Sequence, residues 1–249
     1  MAKATITTVS GFDYSGWMAG GNPAAGVAPT TWAHPTYSTL GALNPRMVNP
    51  AAGKTCRILA ASLRYSVANQ PVIIRDRVGH MGGLSGTSIA AQTVNATLTT
   101  PAADGRCEAS GGDVDWWLEW YAATGSTGCN ATVAVTYNDD TTGNVVVALP
   151  ASVPAYRRYR IPPSSGNRSI KSIQTVTLSI STGTAGNFGV TATERKFQFS
   201  VPTANAEFIA DWALLGMPDI GSNACLEHSV YAVGTALGVL TGNIRAGVA

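Results

Sequence analysis

The stretch GDVDWWLEWYAATG, Gly112–Gly125, decides the fold class because it holds three of the six tryptophans and three carboxylates. In a strand, successive side chains point to opposite faces. One face of residues 114–121 is wholly apolar and consists of Val114, Trp116, Leu118 and Trp120. The other face is mixed and consists of Asp115, Trp117, Glu119 and Tyr121. This alternation predicts a central strand whose first face lies against the core.

The chain from Cys56 onward repeats this kind of pattern. Apolar or alternating runs recur at intervals of roughly 10–15 residues, as expected for an all-β sandwich or barrel. The intervals are turn-rich, as in NDDTTG at 138–143 and STGTAG at 181–186. The 27 glycines and 13 prolines fit many short strands joined by turns. The sequence therefore predicts a mainly β, antiparallel sandwich over residues 55–249.

Residues 1–54 differ from the rest and predict an extended N-terminal arm. Five prolines between residues 23 and 50 exclude a helix there and discourage regular strand pairing. Single large side chains are spread through the segment at Trp17, Trp32, Tyr37 and Leu40. Disordered linkers usually lack such aromatics. We therefore expect this arm to be ordered by packing, with Trp17, Trp32 and Tyr37 as contacts to a neighbouring subunit.

Two further elements are predicted near the C-terminus. Residues 203–216, TANAEFIADWALLG, place apolar side chains at helical spacing, with Asn205 as N-cap and Gly216 as the stop. This is the one short helix that the sequence predicts. The last alternating runs, on either side of Gly234 and Thr235, predict a C-terminal hairpin that belongs to the β-sandwich domain.

Composition excludes several classes of partner. Charged residues make up 12% of the chain and the net charge is +2, so no electrostatic surface for nucleic acid is expected. No window of about 18 apolar residues predicts a membrane span. The N-terminus has no apolar run of signal-peptide length, so we expect a protein that is not secreted. Its four cysteines lack any CxxC pair and predict reduced thiols, with no metal and no cofactor.

The catalytic candidates fail on their spacing. Ser85, in GHMGGLSGTS, lacks the second glycine of a G-x-S-x-G elbow. The three histidines are isolated, and NDDTTG lacks the ligand spacing of a calcium loop. Asp113 and Asp115 are neighbours on one strand, whereas glycoside cleavage needs carboxyls on opposite sides of the sugar. We predict that the protein is not an enzyme, although an intracellular hydrolase using Ser85 is a class to test.

Two surfaces are left as binding candidates. Trp117 and Tyr121 share the mixed face of the tryptophan strand and would form a glycan platform if that face is exposed. The run YRRYRIP interleaves aromatics with Arg157, Arg158 and Arg160. Since Arg and Tyr are enriched at interfaces, these arginines predict a subunit contact or a strand edge; stacking on nucleic acid is the alternative.

Several phrases together resemble virion structural proteins of tailed bacteriophages. They are CRILAASLRYSV, RDRVGHMGGLSGT, GDVDWWLEWYAATGST, TLSISTGTAGNFGVTAT and ADWALLGMPDIGSNACL, and the resemblance covers most of residues 50–235. It implies a particle component, most like a head decoration (cement) protein with a jelly-roll sandwich, often trimeric, that binds the major capsid protein. A tail or collar component is compatible, and a carbohydrate-binding virion module for host attachment is the rival. The resemblance implies no catalytic residue.

Overall fold

The computed structural model describes residues 1–43, 54–163, 168–221, 223–235 and 237–248. Its two helices are α1 (Thr99–Ala103) and α2 (Trp212–Leu215). Its strands are β1 (Ala2–Lys3), β2 (Asp13–Ser15), β3 (Gly21–Asn22), β4 (Cys56–Tyr65), β5 (Val72–His80), β6 (Leu84–Ser85), β7 (Gln92–Thr97), β8 (Val114–Trp120), β9 (Cys129–Tyr137), β10 (Thr142–Leu149), β11 (Arg157–Ile161), β12 (Ile170–Leu178), β13 (Asn187–Phe199), β14 (Glu207–Asp211), β15 (Leu226–Tyr231) and β16 (Leu240–Val248). Their pairings are antiparallel, which confirms the mainly β prediction.

Six strands form a closed ring. They follow the order β5-β15-β2-β11-β8-β13, and β13 then pairs back onto β5, with Thr193 opposite Arg77 and Phe199 opposite Val72. The long β13 makes closure possible because its N-terminal half pairs with β8 while the part from Thr191 onward also pairs with β5. A closed ring has an inner and an outer face, and alternate residues of each strand occupy them.

Two smaller sheets cover the outside of this barrel. The four-stranded sheet β10-β9-β12-β7 packs over β8 through an apolar core that includes Trp116, Leu118, Trp120, Val133 and Ile173. The five-stranded sheet β14-β4-β16-β1-β3 packs over β5 and β15 through a second core. That core includes Val72, Ile74, Leu226, Val230, Ile58, Leu63 and Phe199. The apolar face of the tryptophan strand is therefore core, as its alternation predicts.

The described part of the N-terminal segment, residues 1–43, lies against its own chain. β2 is a barrel strand between β15 and β11, and β1 pairs with β16 in the five-stranded sheet. Lys3 is buried and its Nζ donates to the carbonyls of Ala19 and Ala24, both at 3.0 Å. The rest of the predicted arm, residues 44–53, lies outside the described residues.

The predicted helix over 203–216 is wrong for most of its length. Residues 207–211 form the edge strand β14, paired with β4 from Glu207 opposite Arg64 to Asp211 opposite Ala60. Only the last turn is helical, and Asp211 rather than Asn205 caps it by accepting from the amides of Ala213 and Leu214. Pairing with a neighbouring strand overrides the helical spacing, because tertiary contacts outweigh local propensity. Gly216 does end the helix, in the left-handed conformation at φ 68°.

The predicted C-terminal hairpin is also wrong, although both of its strands exist. β15 belongs to the barrel, where it pairs with β5 and β2. β16 belongs to the five-stranded sheet, where it pairs with β4 and β1. The segment between them carries the chain from one sheet to the other.

Candidate functional site

The interior of the barrel holds a cluster of buried ionisable side chains. Each of the six strands contributes a polar side chain to one hydrogen-bonded network: Arg77 from β5, Glu227 from β15, Ser15 from β2, Arg158 from β11, Glu119 from β8 and Thr191 from β13. All are nearly or completely buried. The mixed face of the tryptophan strand is thus the barrel lumen.

Arg77 is the centre of this network. Its Nη1 donates to Glu227 Oε2 at 2.8 Å and its Nη2 donates to Glu119 Oε2 at 2.7 Å. Its Nε donates to Nδ1 of His80 at 3.0 Å, and the indole ring of Trp17 lies over the guanidinium at 4.9 Å. One arginine therefore binds two carboxylates on opposite parts of the ring.

Arg158 binds the same two carboxylates from β11. Its Nη2 donates to Glu227 Oε1 and, at 2.8 Å, to Ser15 Oγ, and its Nε lies 3.6 Å from Glu119 Oε2. Thr191 Oγ1 donates to Glu119 Oε2 at 2.6 Å. Two arginines and two glutamates thus form a neutral cluster, which is the condition under which charges remain buried in a protein.

The pKa values reflect this pairing. Burial alone would raise the pKa of Glu119, but Arg77 and Arg158 outweigh burial and lower it to about 2. Burial and the adjacent Arg77 hold the pKa of His80 well below its ordinary value, so His80 is neutral and can accept from Arg77. Burial raises the pKa of Asp13 to about 6, against the opposing effect of Arg158. Glu119 is therefore held as a carboxylate and cannot serve as a proton donor near neutral pH.

A second ion pair group lies toward the surface of the same barrel. Asp115 accepts from Arg75 Nη1 through Oδ2 at 2.7 Å and lies 2.7 Å from Arg160 Nη2 through Oδ1. The Arg75 side chain is 4% exposed, whereas that of Arg160 is 58% exposed. Arg75 also donates to Ser229 Oγ at 3.0 Å. This group marks the point where the charged interior reaches solvent.

The two aromatics proposed as a glycan platform lie in the barrel interior. Trp117 donates from Nε1 to Thr193 Oγ1 at 2.9 Å, with Arg75 over its ring at 4.9 Å. The hydroxyl of Tyr121 lies 3.3 Å from Arg77 Nη2. Trp117 is 6% exposed and Tyr121 is 8% exposed. They cannot form the exposed platform that sugar stacking requires.

The three arginines of YRRYRIP have three different environments. Arg157 lies on the outer face with its guanidinium 3.0 Å from the ring centre of Phe12 and is 3% exposed. Arg158 is in the interior network and Arg160 is at the surface. Only Arg160 of the three offers a charge to a partner.

The aromatic residues proposed as arm contacts are placed as follows. Trp17 is completely buried beside Arg77, with Gly26 and Gly41 against its ring. Trp32 is half-buried, stacks on Trp116 at 5.7 Å and donates to the carbonyl of Thr97. Tyr37 is half-buried at the surface of the segment. Trp17 thus has no surface left for a partner, whereas Trp32 and Tyr37 retain part of theirs.

Sequence reasoning missed another buried ion pair, between Asp76 and Arg106. Arg106 binds both carboxylate oxygens of Asp76, at 2.6 and 3.0 Å. It also donates to the carbonyls of Pro35 and Arg77, each at 2.8 Å. This arginine fastens the N-terminal segment to β5. The signal was present, since an apolar strand with charges inside it, as in VIIRDRVG, needs buried partners for them.

The remaining catalytic candidates are not assembled into a site. The Ser85 hydroxyl lies 2.9 Å from that of Thr87, and the ring of His34 bonds the carbonyl of Val78. His228 packs on Gly16, where burial lowers its pKa to about 3. No group of three or more metal-ligating side chains occurs in the described ranges. NDDTTG forms the β9–β10 turn, with Asp139 accepting from the Thr141 amide.

The surface depression beside α1 lacks a set of reactive groups. A depression of about 600 Å³ beside α1 is lined by alanines, threonines, Leu98 and Ser172, with Lys171 as its charged side chain. It contains neither a carboxylate nor a histidine among its described lining residues. Neither helix of the described chain is long and apolar enough to cross a membrane.

Comparisons with protein-family models, curated proteins and solved structures found no match to this chain.

Proposed function

We propose that this chain is a non-enzymatic structural protein of a tailed-bacteriophage particle. In this proposal it binds the major capsid protein on the outside of the shell and stabilises the joints between capsomers. The proposal includes the jelly-roll relationship of the fold, assembly as a homo-oligomer with a trimer favoured, and location in the virion. The resemblance of the sequence phrases is its starting point.

The observation that carries the proposal is that the ionisable groups inside the barrel are buried and bound to one another. Arg77, Arg158, Glu119 and Glu227 neutralise one another in a buried cluster. Their hydrogen bonds join all six barrel strands, and substrate has no access to them. Catalytic groups need access and a pKa suited to proton transfer. A rigid body whose interior arginines and glutamates neutralise one another suits a protein whose task is to hold its shape.

The surface also favours a packing role. The charged residues are few, and Val27 at 68% and Leu40 at 59% are the most exposed of the large apolar side chains in the described N-terminal segment. They lie on the same segment as the half-buried Trp32 and Tyr37. In the proposal these four residues contact the capsid, which replaces a freely reaching arm by an apolar surface already fixed to the body.

Quantitative mass spectrometry of the purified particle that encodes this chain tests the proposal. Hundreds of copies per particle support a shell component. A dozen copies or fewer would move the protein to the portal, collar or tail. Absence from the particle would overturn the proposal altogether.

Binding to shells that lack the protein tests the contact surface. The double variant Val27→Glu, Leu40→Glu should lose at least about tenfold in affinity, because it places carboxylates in an apolar contact. Ile89→Glu is the matched control, since Ile89 is 62% exposed but lies outside the N-terminal segment. Equal binding by the natural chain and the double variant would exclude this surface as the capsid contact.

A further inference from the structure

Edge strands divide into protected and unprotected ones, and this chain has an unprotected edge at β10. Edge strands present unpaired backbone groups to other chains, and proteins protect them with short length, charge, bulges or covering segments. The barrel has no open edge, apart from the two-residue β6 that extends it. The open edges of the described sheets are therefore β3 and β14 in one sheet and β7 and β10 in the other.

Three of these four edges carry a protective feature. β3 has only two residues. β14 carries acidic residues at both ends, Glu207 and Asp211. β7 contains Asn95 at φ 51°, its pairing with β12 shifts register, and Trp32 bonds its Thr97 carbonyl. Each feature hinders the addition of another strand.

β10 has none of these features. It runs for eight residues, TGNVVVAL, without a charge or a proline, and its pairing with β9 has no register shift. Its outward side chains are Thr142, Asn144, Val146 and Ala148, and Val146 is 58% exposed.

The free hydrogen-bonding groups of β10 can be assigned from its neighbours. Asn130 exchanges bonds with Ser179 and therefore directs its backbone toward the β12 side. Antiparallel strands alternate in this respect, so the next residue, Ala131, bonds its partner Val147 on β10. By the same alternation, Asn144, Val146 and Ala148 direct their amides and carbonyls to the open edge.

We propose that β10 is a self-association edge, at which a second copy of this chain pairs antiparallel about a two-fold axis through Val146. In this register Val146 lies opposite Val146 of the other copy, and Asn144 lies opposite Ala148. The two exposed valines bury one another, and cross-strand apolar pairs of this kind stabilise sheets. The ladder ends where Pro150, which has no amide hydrogen, follows the strand.

Charge favours a second copy as the occupant. β10 has no acidic or basic residue, so the pairing brings no like charges together within the strand. The acids of the adjoining turn, Asp139 and Asp140, come near the partner's Pro150 end, which has no acid. The same operation on β14 would place Glu207 opposite Asp211, which is unfavourable. The pairing would join two four-stranded sheets into one of eight strands.

Sedimentation velocity of the isolated protein over a range of concentrations tests the pairing without any capsid, so it is independent of the proposed function. The natural chain should associate in pairs through this edge, as protomers or as the trimers of the proposed function, and Val146→Lys should raise the dissociation constant of that step at least about tenfold by opposing two lysines. Mixing Val146→Lys with Val146→Glu should restore this pairing. Ile209→Lys is the matched control, because Ile209 is 69% exposed on β14, and it should leave the pairing unchanged.

Disulfide trapping tests the register. Residues in a hydrogen-bonded antiparallel pair have Cα atoms about 5.5 Å apart, within the range that a disulfide bridges. Val146→Cys should therefore give a covalent dimer on mild oxidation, whereas Asn144→Cys should not. A natural chain that stays monomeric or forms trimers insensitive to Val146→Lys would overturn the proposal. So would cross-linking by Asn144→Cys alone, which would rule out the two-fold axis at Val146.

Discussion

The two faces of β8 pack against opposite kinds of side chain, apolar on one face and polar or charged on the other. Trp116, Leu118 and Trp120 point outward from the barrel into an apolar core under the four-stranded sheet. Glu119 and Trp117, interleaved with them, point inward to a network of arginines and hydroxyls. Both faces are buried, yet one is stabilised by the removal of apolar surface and the other depends on every charge keeping its partner. Removal of a single group should therefore have different consequences on the two faces.

The largest effect is expected at Arg77. Arg77→Met removes the partner of Glu119 and Glu227 and leaves two buried carboxylates with Arg158 as their remaining arginine. Breaking a buried ion pair costs about 3–5 kcal/mol, so we expect the variant to lose at least this much unfolding free energy or to fail to fold. Urea denaturation measures it, with Arg64→Met, at an exposed pair with Glu207, as a control expected to lose less than about 1 kcal/mol.

Adding Glu119→Gln to Arg77→Met distinguishes charge from packing. The second substitution removes one orphaned carboxylate and should recover part of the lost stability. A double variant that is less stable than Arg77→Met would mean that arginine packing, not charge balance, dominates the interior.

The next largest effect is expected on the apolar face at Leu118. Leu118→Ala leaves a cavity in a core where the leucine is completely buried, and we expect a loss of about 3 kcal/mol. Because no charge is orphaned, the loss should be the same at pH 5 and pH 8. A loss that depends strongly on pH would show that the two faces are coupled through the strand.

A smaller effect, which changes with pH, is expected at Asp13 in β2. Its pKa is about 6 in the folded chain, because burial disfavours the carboxylate. The folded state therefore binds more protons than the unfolded state between about pH 4 and pH 6, and stability from this group falls as pH rises. Relative to Asp13→Asn, the natural chain should lose on the order of 2 kcal/mol between pH 4 and pH 8. Denaturation of both proteins at each pH measures the difference, and parallel curves would contradict it.

The smallest effect is expected at Arg160. Its side chain is largely exposed, and Asp115 keeps its second partner Arg75 when Arg160 is removed. Arg160→Ala should therefore cost less than about 1 kcal/mol, as for other exposed ion pairs. A loss comparable to that of Arg77→Met would show that the exposed Arg160–Asp115 pair contributes as much to stability as the buried cluster does.

The strands of this fold are readable from the sequence because the pattern that forms them is local. The alternation of residues 114–121 correctly assigns Trp116, Leu118 and Trp120 to the core. Gly216 is correctly assigned as the end of a helix. In each case the deciding information lies within a few neighbouring residues.

What the sequence does not reveal depends on partners that are distant in the chain. The mixed face of β8 predicts a half-exposed surface, and its burial follows only from the pairing of β13 with β5, which closes the ring. The residues 207–211 have helical spacing, and only the presence of β4 beside them makes them a strand. The charged interior was missed for the same reason, since Arg77 and Glu227 lie 150 residues apart.

The closed ring also sets an order of events. β2 is near the start of the chain and pairs with β15, which is near its end. Until β15 has emerged from the ribosome, β2 lacks one neighbour and Arg77 lacks Glu227. Contacts of such long range are slow to form, and unfinished sheets expose edges that aggregate. Closure of the barrel therefore waits for β15, so refolding should be slow and should show β2 and β15 gaining amide protection together, in the last phase.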